Sequence, residues 1–371
     1  MKIQVLAVLS VFIILIGSAP DGACGEVKTG TVRTPLDSIG YATSPEELEW
    51  IVRLAGESEK PTSTEAETPD GSMIGAVCPH DDYLYAGPVY VEVMKRVKAP
   101  VVIIFGVCHA ARRRGIQGRL IFDSYDAWRG PYGDCPVSDL REDLMESLPG
   151  EYLMVSNEIH DKEHSIESLI PFLQYPGFGG EERVNDLSII PVLVTGFPGK
   201  LQRKVAGRFA SALNEEMDKR GWTQGEDLMI LISADCVHYG DRKWGGRGYA
   251  PFGTDRDGFR EAIGQEMDII DLSLVGRLDL AKVKRFRDMV ERDDPEWPYR
   301  VTWCGVHSIP FGLHTLIEIC QLRGRKYPEG VFLEYGTSLD APDRKRTVGN
   351  LGVTNISTFH HWVGYAAIGF W

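Results

Sequence analysis

Four short apolar runs, rich in β-branched residues, constrain what this chain can fold into more than any other feature. They are "MIGAVC" (73–78), "VVIIFG" (101–106), "LSIIPVLVTG" (187–196) and "DLMILISAD" (227–235). Segments of helical character lie between and after them, at roughly 87–98, 137–148, 163–174, 199–220, 258–277, 280–293 and 305–323. Continuous apolar strands separated by helices imply a sheet with much parallel pairing, covered on both faces. The fold class expected is therefore α/β, a three-layer αβα sandwich around a mostly parallel or mixed sheet. A last strand, "WVGYAAIGF" (362–370), is expected to complete it. No linker interrupts residues 73–371, which read as one domain. Ahead of it, residues 24–72 hold a helix, "SPEELEWIVRLA" (44–55), with Ser44 as N-cap and Pro45 at the first helical position. The rest of that stretch, "GESEKPTSTEAETPDG" (56–71), is almost free of apolar residues and reads as a flexible surface loop.

The 371 residues carry a formal net charge of −13, which argues against binding nucleic acid through its phosphates. The one tight basic cluster, "ARRRG" (111–115), reads as a solvated loop. At the start, one lysine precedes an uncharged apolar run from Ile3 to Ile16 and then small residues. Residues 1–23 are thus expected to be a secretory signal, with an exported protein as the consequence. A lipid on Cys24 or an uncleaved signal would be its only attachment to a membrane. Seven cysteines without a CxxC pair do not suggest a disulfide-stapled fold. Metal ligation or burial as small hydrophobes accounts for them equally well.

In a sheet of this kind chemistry lies beyond the carboxyl ends of the strands. The first run ends in "CPHDDY", the second in "FGVCHA", and the last in "SADCVHYG", delivering His80, His109, and Asp235 with His238. "HDKEHSIESL" adds His164, and "TWCGVHSIPF" places Cys304 and His307 at the start of an apolar helix, where a thiol is expected to ionise more easily. Each piece alone has a bland reading: a polar turn, a half-buried histidine, a capped helix. Three strand ends carrying imidazoles make a site the better reading of the set.

The order of these segments resembles the Memo family, also known as the B protein of the AmmeMemoRadiSam system, which is structurally similar to the class III extradiol (LigB-type) dioxygenases. The family spelling "PHAGYxYSG", "GPSHH", "DEHSIE", "SDxxHxG" and "CGxxP" appears here as "PHDDYLYAG", "GVCHA", "KEHSIE", "SADCVHYG" and "WCGVHSI". The resemblance implies a metal held by His80, His109 and Cys304, and an acid/base pair at Asp235 and His238 with His164 close by. Two departures stand out: Asp81 and Asp82 replace small residues, and Ala110 replaces a histidine. Asp81, Asp82, Tyr83 and His307 are accordingly expected at a substrate pocket, where the two carboxylates would suit a cationic or polar substrate or support the ligands. The implied cofactor is a divalent metal, iron(II) first, with copper or zinc as alternatives. Three functions follow: an extradiol-type oxidoreductase acting on a small molecule, a metal-binding or peptide-binding protein without turnover, and a zinc hydrolase.

Overall fold

The computed structural model describes residues 30–57, 67–198, 200–244, 247–294, 297–340 and 348–371. The expected signal at 1–23, Cys24 and the middle of the 56–71 loop lie outside the described residues.

The four apolar runs become the strands Gly75–Cys78, Val101–Val107, Ser188–Val194 and Leu228–Ser233. They lie side by side in the order 75–78, 228–233, 101–107, 188–194, all parallel. Antiparallel strands flank this centre. His361–Phe370 and then Glu329–Thr337 and Gly276–Arg277 extend one side, and Leu120–Phe122 with Leu153–Val155 extends the other. His238–Gly240 pairs separately with His361–Phe370, so ten described strands form one mixed sheet.

Alternation within each strand explains why the runs are apolar throughout. Leu228, Ile230 and Ile232 enter one core, while Met229 and Leu231 enter the other. Ile103 and Phe105 likewise oppose Val102 and Ile104. The first core is covered by Leu201–Arg220 (through Val205, Phe209 and Leu213), Arg256–Ser273, Leu280–Val290 and Ser308–Leu322. The second is covered by Pro45–Gly56, through Leu48 and Ile51, and by Tyr83–Met94. With helices on both faces of a mixed sheet, the three-layer α/β sandwich read from the sequence is the fold. Ser44 caps its helix as expected, in a reciprocal pair with Glu47.

Three elements differ from expectation. The helix read at 87–98 begins four residues earlier, at Tyr83, and carries Pro88 in its second turn. The helix read at 163–174 is only a 3₁₀ turn, Glu167–Leu169, followed by Ile170–Leu173. Its first residues are diverted: the Glu163 carboxylate accepts the backbone N–H groups of His164 and Ser165 at 3.0 Å, and Ser165 Oγ donates to Val107 O. The helix read from 305 starts at Ser308, after a separate 3₁₀ turn, Cys304–Val306.

Candidate metal centre

The carboxyl ends of the parallel strands place the site. Gly75–Cys78 delivers His80, Val101–Val107 delivers His109, and Leu228–Ser233 delivers Asp235. Cys304 reaches them from the turn before Ser308–Leu322, and Gly305 permits this, since a Cβ there would stand 2.4 Å from Ala234 Cβ.

Two donor sets share His80: His80, His109 and His164, and His80, Asp235 and Cys304, with the ligand atoms of each set within 4.8 Å of one another. The His109 and His164 rings stack at 4.7 Å, and both stand edge-on to His80 at 5.3 and 5.4 Å. His80 Nε2 lies 3.4 Å from Cys304 Sγ and 3.4 Å from Asp235 Oδ2. His109 thus joins His80 through the first set and Cys304 joins it through the second. His164, expected beside the acid/base pair, stacks on His109 as a donor.

Hydrogen bonds behind the imidazoles assign their tautomers. Ser233 Oγ uses its proton on Ser165 O, so at 2.8 Å it accepts from His80 Nδ1–H. Glu163 Oε1 accepts from His109 Nδ1–H at 2.8 Å, and Glu163 Oε2 takes the His109 backbone N–H at 2.8 Å. Both rings therefore turn an Nε2 lone pair towards the cluster, the arrangement by which metal-binding histidines are oriented. Convergent lone pairs from His80, Asp235 and Cys304 repel one another unless a cation or proton lies among them.

Electrostatics agree with ligation. Burial lowers the pKa of His80 to about 3 and that of His164 to about 4, so both rings are neutral. Burial alone would raise Asp235, but His80 and His238 hold its carboxyl well below the usual range. Cys304 corrects the sequence expectation. It is 2% exposed, and burial first, then the Asp235 charge, pushes its thiol well up rather than down. The backbone N–H of Asp235 nevertheless donates to Cys304 Sγ at 2.9 Å, ready to support a thiolate once a cation displaces the proton. Cys78, Cys108, Cys236, Cys304 and Cys320 are buried and free of disulfides.

His238 Nε2 is buried without a hydrogen-bond partner, 3.7 Å from Asp235 Oδ2. Burial lowers its pKa while Asp235 opposes the shift. His109 and Cys304 open onto a cleft of about 1250 Å³, whose wall also includes His307, Tyr299 and Arg247.

The expected pocket residues divide. His307 lines the cleft. Asp81 instead accepts the Tyr365 hydroxyl at 2.7 Å, and Asp82 holds Thr354 through its N–H at 2.6 Å. Tyr83 is buried, its hydroxyl donating to Ser168 O. The first two thus tie the strand end to the last strand and to the segment that precedes it. Glu167 of "HSIE" pairs with the buried Arg33 and accepts the backbone N–H groups of Leu36 and Asp37 at 2.8 Å, anchoring the N-terminal segment. Glu163 and Ser233, which orient His109 and His80, went unassigned from sequence. Their adjacency to His164 and Asp235 was the one available signal.

Glu266 supports the site from below. Its buried carboxyl accepts Val237 N–H at 2.9 Å and Trp303 Nε1–H at 2.5 Å, joining the turns that carry Asp235 and Cys304. Burial raises its pKa to about 8, against opposing hydrogen bonds from Val237 and Trp303. The folded state therefore binds this proton up to about pH 8, whereas an unfolded glutamate releases it near pH 4.3. The associated stability is present at acid pH and lost as pH rises between those values. Thermal melts should show this decline in the wild type and a shallower one in Glu266→Gln; parallel curves would refute the assignment.

The sequence profile described as Memo-like protein matches residues 39–354, a range that holds every donor above. The chain is 31% identical over 168 residues to a MEMO1 family protein of Methanococcoides burtonii, covering 45% of this chain and 55% of that protein. It is 32% identical over 166 residues to one of Aquifex aeolicus, covering 43% and 52%. A MEMO1 family protein of Methanocaldococcus jannaschii matches at 27% over 223 residues, covering 56% and 70%. The matches to the first two span about half of those proteins' length. By its profile match, its relatives and its fold, this chain belongs to the Memo family.

Proposed function

We propose that this protein is a metal-dependent oxidoreductase of the extradiol type, acting on a small molecule with iron(II) as its cation. The observation that carries this reading is the pair of Nδ1 acceptors, Ser233 and Glu163, which spend hydrogen bonds to aim His80 and His109 at one point. The donors fit a borderline divalent cation, since they combine neutral imidazoles, a carboxylate and a thiol. Such a cation supplies a Lewis acid with positions left open for substrate. The chain supplies the rest. His238, with a free Nε2 beside Asp235, moves a proton to or from bound substrate, and Asp235 orients it. Burial of His80 and Cys304 would limit the access of water to a cation held there.

Iron content after anaerobic purification, with oxygen uptake on adding a catechol, tests this reading. Zinc alone, without oxygen uptake, would overturn it. Cys304 favours a second reading, metal binding without turnover, because a thiolate makes the site softer and better suited to copper or zinc. The apolar run at 3–16 supports export, which cell fractionation checks.

The raised Cys304 thiol has a consequence for metal affinity. A cation must displace its proton, so one proton leaves per metal bound. Apparent affinity should rise about tenfold per pH unit through neutrality. His80 and His164, with pKa values of about 3 and 4, do not compete there. Metal titrations near pH 6, 7 and 8 check the slope, and a flat profile would show that the sulfur is not a ligand.

A further inference from the structure

The chain is strongly acidic, yet the cleft in front of the donors is not. Its described wall carries eight basic side chains against four carboxylates, in a protein whose net charge is −13. Two of those carboxylates are already engaged, Asp288 by Lys284 and Glu291 by Arg287. Arg203, Arg247 and Arg300 have no carboxylate in ion-pair contact among the described residues.

The excess is distributed rather than random. Arg247 acts through space on both Cys304 and His238, which places positive charge at the metal end of the cleft. Arg203 and Arg287 both act on His314, which with His307 lines the wall along Ser308–Leu322. Burial is the main cause of the low pKa of His314, about 4, and the two guanidiniums add to it. Arg112 of the "ARRRG" cluster, read from sequence as a solvated loop, also lines the cleft, its guanidinium 5.4 Å from the Trp297 ring. A guanidinium binds carboxylate or phosphate in a fork, and a cleft walled by several of them focuses field on an anion. At about 1250 Å³ the cleft is larger than one aromatic ring needs.

We infer that the cleft takes an anionic small molecule, its carboxylate or phosphate held by Arg203 and by the guanidinium nitrogens of Arg287 other than the Nε that pairs with Glu291, while its other end reaches the donors under Arg247. This names the substrate class for the proposed reaction and rests on that reading for the role of the metal end. It replaces the cationic substrate expected from Asp81 and Asp82, since neither carboxylate is among the residues lining the cleft.

The test is calorimetric titration of the full-length protein with glutarate, inorganic phosphate and the neutral glutaramide, before and after chelation, with metal content measured in each sample. Glutarate or phosphate should bind saturably and weaken with added salt, and glutaramide should not bind. The tighter anion identifies carboxylate or phosphate as the natural group. Arg203→Gln with Arg287→Gln should weaken the anion about tenfold or more, the scale of a lost charged hydrogen bond. Metal content should stay unchanged in this variant. Arg203→Gln alone, at an exposed position, guards against misfolding and should weaken binding in the same direction. No saturable anion binding, equal binding of glutaramide, or variants that bind like the wild type would overturn the inference. Anion binding in protein that takes up no metal would leave the inference standing and refute the metal reading instead.

Discussion

Replacing His80 by alanine is expected to empty the metal centre, taking bound metal from one per chain to near zero. Among the donors His80 is the one shared by both sets, so its loss leaves neither with three ligands. His109→Ala and Cys304→Ala each leave one set intact and should weaken binding without abolishing it at saturating metal. The ring is 1% exposed and bonded to Ser233, so some stability is lost as well. A large-to-small change at a packed position costs about 2–5 kcal/mol. Elemental analysis on folded protein, verified by circular dichroism, separates the two effects. Full metal content in folded His80→Ala protein would place the cation elsewhere.

His238→Gln is expected to lower turnover by roughly 10²–10⁴-fold, the range for a general acid or base, with metal retained. The side chain stands 3.7 Å from Asp235 Oδ2 and belongs to neither donor set. Glutamine keeps polarity and much of the volume but holds no titratable proton. Asp235→Asn should also slow turnover, and it should weaken metal too, because Asp235 sits in a donor set while orienting His238. That difference between the two variants is the diagnostic. Metal loss in His238→Gln equal to that in His80→Ala would make His238 a ligand.

What could be read from the sequence was local. The central strands are visible because burial on both faces leaves an unbroken apolar run, as at 101–107 and 228–233. His80, His109 and Asp235 are visible because each follows such a run within a few residues, whereas His164 and Cys304 stand beside no such run. Glu329–Thr337 was missed because much of it is only half buried, which breaks the apolar signal. The orienting bonds were illegible for a different reason. Ser233 meets His80 across 153 residues and Glu163 meets His109 across 54, distances that no local pattern encodes. Asp81 and Asp82 misled because a carboxylate beside a ligand reads the same whether it faces the cleft or ties down Tyr365 and Thr354. The basic cleft wall was invisible because its arginines come from scattered segments, including residues 112, 203, 247 and 287.

X-ray absorption at the zinc edge of protein loaded with one equivalent of zinc tests the metal centre most directly. The geometry predicts one sulfur scatterer at about 2.3 Å together with imidazole nitrogen at about 2.0–2.1 Å. A first shell of nitrogen and oxygen alone, or zinc that does not bind at one per chain, would contradict it.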